Sequence, residues 1–250
     1  MTNVSTGTDS WVRRFHPADT AGTRLVCFPH AGGSASYYFP VSQALSPAVD
    51  VLAIQYPGRQ DRRTEPCLDD VGELAERATT ALGPWTDRPL ALFGHSLGAT
   101  LAYEVALRLE AAGTGPVELF ASGRRAPSRH RDGRVHLGDD DSLIDTIRQL
   151  SGTDPRALED EELLRMVLPA IRSDYKAAET YRHRPGPPLS CPITVLTGDH
   201  DPEVTRDEAA AWSDHTTDRF SLHEFPGGHF YLNAHAATVV SLIRTHLTRR

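Results

Sequence analysis

The apolar residues fall into short runs separated by stretches of helical spacing. Leu25-Val26-Cys27-Phe28 is one such run, ended by Pro29 and the Gly32-Gly33 pair, and it reads as a buried strand entering a loop. Val49 to Ile54 predicts a second strand, ended at Tyr56-Pro57-Gly58. Leu90-Ala91-Leu92-Phe93 predicts a third, Val117 to Ala121 a fourth and Ile193 to Thr197 a fifth. Phe220 to Phe225 alternates as a last strand. Between them, residues 69–83 place Val71, Leu74, Ala75, Ala78 and Leu82 at helical spacing. Residues 99–112 place Leu101, Val105, Leu109 and Ala112 on one face, with Gly113 as the stop, and Val239 to Leu247 closes the chain as a helix. Strands alternating with helices predict βαβ units and a largely parallel sheet.

Two segments depart from that pattern. Residues 1–10 are polar and read as a frayed leader with no apolar core of a signal peptide. Residues 124–190 separate two core strands. They open on a basic run, pass through Asp139-Asp140-Asp141, carry helical patches at 142–150 and 160–183, and end in Pro185-Gly186-Pro187-Pro188. The expectation is one domain over 1–250 with an insertion at approximately 124–190 over the edge or top of the sheet.

Composition narrows the class. With 250 residues, 39% hydrophobic and 24% charged, the chain reads as globular. A net charge of −7 excludes a generally basic surface for nucleic acid. Lys176 is the one lysine among 26 Lys and Arg residues, so any positive patch is built of guanidinium groups. Cys27, Cys67 and Cys191 are odd in number and widely spaced, which argues against a disulfide framework and a zinc site and for a reducing cytoplasm. No apolar run approaches the roughly 18 residues of a membrane span.

The chemistry is carried by three places. Gly94-His95-Ser96-Leu97-Gly98 follows a strand and precedes a helix, the context in which a G-x-S-x-G turn exposes a strained serine as a nucleophile. The bland alternative is a helix-capping serine. A serine needs a base, and Phe225-Pro226-Gly227-Gly228-His229-Phe230 supplies His229 on a glycine-rich loop after the last strand. His95 reads as structural, because neighbours on such a turn point apart, and His235 and His246 read as helix-face residues. The acid follows the fifth strand, in Gly198-Asp199-His200-Asp201-Pro202. Asp201 lies far enough past the strand to reach the imidazole, while Asp199 suits a turn. Ser122-Gly123-Arg124-Arg125, after the fourth strand, offers no carboxylate. An oxyanion hole needs two backbone N–H groups, read as those of Leu97 and of Ala31 in the loop after the first strand, with His30 as the alternative to Ala31.

Together these stretches resemble the type II thioesterases that accompany polyketide and nonribosomal peptide synthases. The resemblance spans nearly the whole chain and rests also on Tyr56-Pro57-Gly58-Arg59, on Arg62 with Glu65-Pro66, and on Leu168-Pro169 with Arg172, Asp174 and Tyr181. It implies an α/β-hydrolase fold, a mostly parallel sheet flanked by helices with an inserted helical lid. It also implies a free-standing enzyme that hydrolyses acyl groups from the phosphopantetheine arm of acyl or peptidyl carrier proteins and clears stalled units. By matching positions it assigns Ser96 as nucleophile, His229 as base, Asp201 as acid, and Ala31 and Leu97 as oxyanion donors. No metal or enzyme-bound cofactor is implied, since the phosphopantetheine belongs to the substrate protein. A monomer in the cytoplasm is the default expectation.

A carrier protein is expected to be acidic and this chain is net negative, so docking calls for a local basic patch. Arg124, Arg125, Arg129, Arg131 and Arg134 form the densest cluster, and Arg59, Arg62 and Arg63 a second. A merely solvated face explains any one of them as well. Lid residues such as Leu143, Ile147, Leu164, Met166, Val167 and Ile171 are expected to pack the lid onto the core rather than line a chamber. The competing functions are a general serine esterase of the same fold, a chain-releasing or cyclising thioesterase, and a non-catalytic carrier-binding protein. The polar leader beginning at Met1 favours a free-standing protein over an excised synthase domain.

Overall fold

A computed structural model describes residues 10–150 and 161–248. The supposed leader, apart from Ser10, and residues 151–160 of the insertion lie outside the described residues. Among the described residues seven strands form one sheet: β1 (Val12–Arg13), β2 (Arg24–Phe28), β3 (Asp50–Ile54), β4 (Leu90–His95), β5 (Glu118–Ser122), β6 (Ile193–Gly198) and β7 (Phe220–Phe225). Their order is β1-β3-β2-β4-β5-β6-β7, and every neighbouring pair is parallel except β1 with β3. The six expected strands are present within one or two residues. Two-residue β1 was too short to leave a pattern. Each of β2 to β6 is buried along its whole length, which is why they read as unbroken apolar runs. Edge strand β7 is half-buried rather than cleanly two-faced.

Helix α1 (Phe39–Leu45), entered through a 3-10 turn over Ala35–Tyr38, carries no clear apolar period and was not anticipated. Helix α2 (Val71–Leu82) begins where the Asp70 carboxylate accepts the Glu73 N–H and buries the predicted face. Helix α3 (Leu97–Ala111) starts two residues earlier than expected, directly on Ser96, and stops before Gly113 at φ 75°. The insertion contributes α4 (Asp140–Leu150) and α5 (Glu161–Thr180). Short α6 (Arg206–Ala210) and α7 (Tyr231–Ala234) follow β6 and β7, and α8 (Ala236–Thr248) packs Val239, Ile243 and Leu247 into the core.

Two apolar clusters line the faces of the sheet: Val26, Leu52, Leu92 and Leu119 sit with α2 and α3, while Leu25, Val51, Phe93 and Phe120 sit with α1 and α8. Charges inside this core are paired. Asp50 is wholly buried and accepts from Arg14 Nε (2.8 Å), the Ala18 N–H (3.2 Å) and Arg24 Nε (3.4 Å). No helix among the described residues is long and apolar enough to cross a membrane.

Because β2 to β7 run parallel, the loops that leave them gather at one edge, where ligands bind in open parallel sheets. The chain turns outward in opposite directions from β2, to β3 on one side and to β4 on the other. The Gly32-Gly33 loop and Ser96 therefore face each other across this switch point, with Phe28 in register with Gly94.

Candidate active site

Ser96 has φ 56° and ψ −120°, a left-handed conformation that a serine adopts only when its surroundings enforce it. The enforcement comes from the two flanking glycines. A Cβ on Gly94 would stand 2.0 Å from the Gly98 carbonyl oxygen. One on Gly98 would stand 2.0 Å from the Phe28 carbonyl oxygen. Backbone contact on both sides leaves the serine no other path from β4 into α3, so the motif's spacing is steric in origin.

The loops after β6 and β7 are joined to each other before they reach the serine. The Asp199 N–H donates to the Phe225 carbonyl (2.9 Å) and the His200 N–H to the Gly227 carbonyl (3.0 Å). The Asp199 carboxylate accepts the Gly227 N–H (2.8 Å) and pairs with His200 Nδ1 (2.6 Å), which holds its carboxyl below the usual range. Asp199 thus organises a turn as expected, but the histidine's loop as well as its own. Asp201 lies beyond it, buried, and accepts from His229 Nδ1 at 2.9 Å (Oδ2) and 3.1 Å (Oδ1) while also accepting the Glu203 N–H at 2.8 Å. With the proton of His229 committed to Asp201 through Nδ1, its Nε2 is left as the basic atom.

His95 turns into the core. It is fully buried, and its Nδ1 lies 2.9 Å from Ser122 Oγ, which is bonded in turn to the Tyr231 hydroxyl at 2.7 Å. The rings of His30 and His95 flank the site, the His95 centroid 5.0 Å from that of His229. Burial, with the neighbouring His229 adding to it, pushes the His30 pKa down to about 3 and that of His95 well below its usual value. Both therefore stay neutral, and a positive charge formed on His229 meets a carboxylate and two uncharged imidazoles.

Ser96 opens into a cavity of two lobes that share Ala31, Ser96, Leu150, Tyr175 and His229. One lobe, about 150 Å3, includes Ile147, Val167, Ile171 and Phe230 and is lined by no arginine, aspartate or glutamate. The other, about 210 Å3, is bordered by Leu97 and by charged groups including Arg124, Arg125, Arg131, Glu179 and Glu203. Ala31, Leu97, Ser96 and His229 thus meet at one place. Leu97 opens α3, so its N–H is one of those a helix leaves without an internal acceptor. A larger apolar cavity of about 450 Å3 lies between α1 and α8 and includes neither Ser96 nor His229.

Three expectations change. Ile147, Val167 and Ile171 line the cavity rather than only packing the lid, while Leu143 and Leu168 do the packing and Met166 is exposed. Arg59 and Arg62 are not surface charges. Arg59 is bonded to Asp174, and Arg62 to Glu65 and the Gln55 carbonyl (2.7 Å), because the chain after β3 folds inward. The basic run of the insertion is also largely spent within the molecule: Arg124 donates to Thr100 Oγ1 (3.0 Å) and the Ala178 carbonyl (3.2 Å), and Arg131 pairs with Glu208 (2.5 Å). Arg129 and Arg134 remain exposed. Sequence reasoning missed the placement of Asp174 and Tyr175 at the site, on a helix whose apolar spacing reports only its packing face.

Residues 23–247 match the thioesterase domain family. The chain is 55% identical over 247 residues to the thioesterase PikA5 of Streptomyces venezuelae, an alignment covering 98% of this chain and 87% of that protein. Among solved structures it is similar to the type II thioesterase BorB from the borrelidin biosynthetic cluster, with TM-score 0.91 and 54% identity over 97% of this chain and 99% of that one. It is also similar to RedJ, a thioesterase from the prodiginine biosynthetic pathway in Streptomyces coelicolor, with TM-score 0.87 and 38% identity over 92% of this chain and 88% of that one.

Proposed function

The chain belongs to the thioesterase domain family, and on that premise we propose that it is a stand-alone serine thioesterase acting beside a polyketide or nonribosomal peptide synthase. It removes aberrant or stalled acyl groups from the phosphopantetheine arm of acyl or peptidyl carrier proteins, which it meets transiently, as a monomer in the cytoplasm. The observation that carries this reading is the cavity with Ser96 at the junction of two unlike lobes. The lobe without arginines or carboxylates suits an acyl chain. The charged lobe suits the amide and hydroxyl groups of a pantetheine arm. The likeness to BorB, a type II thioesterase of a biosynthetic cluster, supports the editing role.

In this mechanism Ser96 Oγ attacks the thioester carbonyl as His229 Nε2 takes its proton. Asp201 holds the ring by its Nδ1–H and stabilises the imidazolium. The N–H groups of Ala31 and Leu97 receive the oxyanion. The carbon–sulfur bond breaks, the arm's sulfur leaves with the proton from His229, and an acyl-Ser96 ester remains. Water, deprotonated by His229, then cleaves that ester to the free acid and restores Ser96. The chemistry calls on no cofactor of the enzyme's own.

The test presents one short acyl group two ways, on a phosphopantetheinylated carrier protein and as a simple oxygen ester. A strong preference for the carrier thioester is expected. Equal or better turnover of the free ester would move the protein to the general esterases.

A further inference from the structure

We propose that Asp174 is a positioning residue for the hydrolysis: from the lid helix it fixes the loop whose Ala31 N–H receives the oxyanion. The inference rests on the reading of Ala31 given above and adds what aims it.

Asp174 is wholly buried although it belongs to the insertion, on α5. Its Oδ2 accepts the Gly32 N–H at 2.7 Å and Arg59 Nη1 at 2.6 Å, and its Oδ1 accepts Arg59 Nη2 at 2.8 Å. Arg59 Nη1 donates also to the Gly33 carbonyl at 3.0 Å. Peptide units are planar, so fixing one end of a unit orients the other. The unit that carries the Ala31 N–H has the His30 carbonyl at its other end, and this carbonyl accepts the Gly33 N–H at 2.9 Å. The next unit, Ala31 to Gly32, is held by Asp174. The unit from Gly33 to Ser34 is held by Arg59. Successive planes around the Ala31 N–H are therefore pinned, and the ion pair between lid and core supplies two of the pins. The Ile171 side chain of the same helix also crowds this loop: at Gly32, where φ is 76°, a Cβ would stand 2.7 Å from Ile171 Cγ1.

A buried ion pair contributes little net stability relative to a well-packed apolar pair. Here its donors and acceptors are spent on loop peptides, which an apolar pair cannot hold. Donors aimed at the oxyanion act only in the transition state, so misaiming them lowers kcat and leaves ground-state binding alone.

The experiment compares Asp174→Asn with the double exchange Arg59→Met and Asp174→Leu, which removes both charges at once and so avoids stranding the guanidinium. Turnover is measured on a small acyl thioester. Affinity is measured for a trifluoromethyl ketone analogue, whose adduct with Ser96 carries the oxyanion. Thermal midpoints check folding. The expected result for the folded double variant is a fall in kcat of about 10- to 100-fold, KM within about twofold, and a loss of ketone affinity by the same factor as kcat. Asp174→Asn keeps an acceptor for the Gly32 N–H and loses less. Unchanged kcat in a folded variant would overturn the inference, as would an effect confined to KM, or a fall in kcat with full ketone affinity. Ser96→Ala is the separate control for the underlying reading: turnover that survived it would remove the nucleophile and this inference with it.

Discussion

Gly98 lies with its α-carbon against the carbonyl of Phe28, close enough that a methyl group there would meet the oxygen at 2.0 Å. Helix α3 behind Ser96 and the strand that leads into the Gly32-Gly33 loop thus touch backbone to backbone, so the two proposed oxyanion donors, Leu97 and Ala31, keep a fixed separation. Gly98→Ala must push them apart. Overpacking of this kind costs about 1–3 kcal/mol or more, at about 2–4 °C in Tm per kcal/mol for a chain of this size. The expected outcome is a Tm lower by several degrees and turnover at least about 10-fold lower in the folded protein, measured by calorimetry and thioester hydrolysis.

Ser96→Ala and His229→Ala are each expected to lower turnover by at least about 10³ while the fold persists. Circular dichroism checks the fold and thioester hydrolysis the rate. An active Ser96→Ala protein would remove the triad assignment.

Asp201 and Asp199 separate cleanly. Asp201→Asn keeps a partner for His229 but favours the wrong tautomer, and turnover is expected to fall by about 10⁴. Asp199→Asn loosens the hydrogen bonds to Gly227 and His200 and is expected to cost far less. The reverse ranking, read from the same assay, would make Asp199 the acid.

Buried neutral histidines make stability fall in acid. His30 titrates at about 3 in the folded protein and near 6.5 when unfolded, and the other depressed histidines act the same way. Below pH 6.5 the unfolded chain binds protons that the folded chain refuses. The stabilisation is therefore full above about pH 6.5 and is lost progressively toward pH 3. Urea midpoints are expected to drop from pH 7 to pH 5. In His30→Asn the slope should flatten by up to about 1.4 kcal/mol per pH unit. An unchanged slope would contradict the burial argument.

For carrier docking the structure redirects attention within the basic run. Arg124 is half-buried with its guanidinium bonded to Thr100 and the Ala178 carbonyl, and reversing its charge would break those bonds. The exposed pair Arg129 and Arg134 is free to be tested. Arg129→Glu with Arg134→Glu is expected to raise KM for a carrier-borne thioester several-fold at low salt and less at high salt, with a small thioester unaffected. Equal effects on both substrates would reject docking at this face.

The strands that hold the site were legible because parallel strands buried on both faces must be written as apolar runs, as Leu25 to Phe28 and Leu90 to Phe93 are. Ser96 and His229 were legible because glycines mark where the backbone must turn or touch. What pattern reading lost were contacts between distant segments. Nothing in the spacing of α5 says that Asp174 turns inward to Gly32, since a single carboxylate on an amphipathic helix looks the same whether it faces water or an arginine. Arg59 and Arg62 were misjudged for the same reason: composition counts charge but not the direction it faces. The exposed apolar Val167 and the half-buried Tyr175 fall between categories that a two-letter pattern recognises.

The insertion between β5 and β6 looks like a cassette, free to be exchanged to change which acyl chains fit. Asp174 makes the cassette's boundary unequal. Helix α4 meets the cavity only through side chains such as Ile147 and Leu150, and re-engineering it alters shape alone. Helix α5 carries the carboxylate that grips Gly32, so a transplanted lid must bring that carboxylate and find an arginine waiting at position 59. A chimera cut without regard to this pair inherits a new pocket and forfeits its aim.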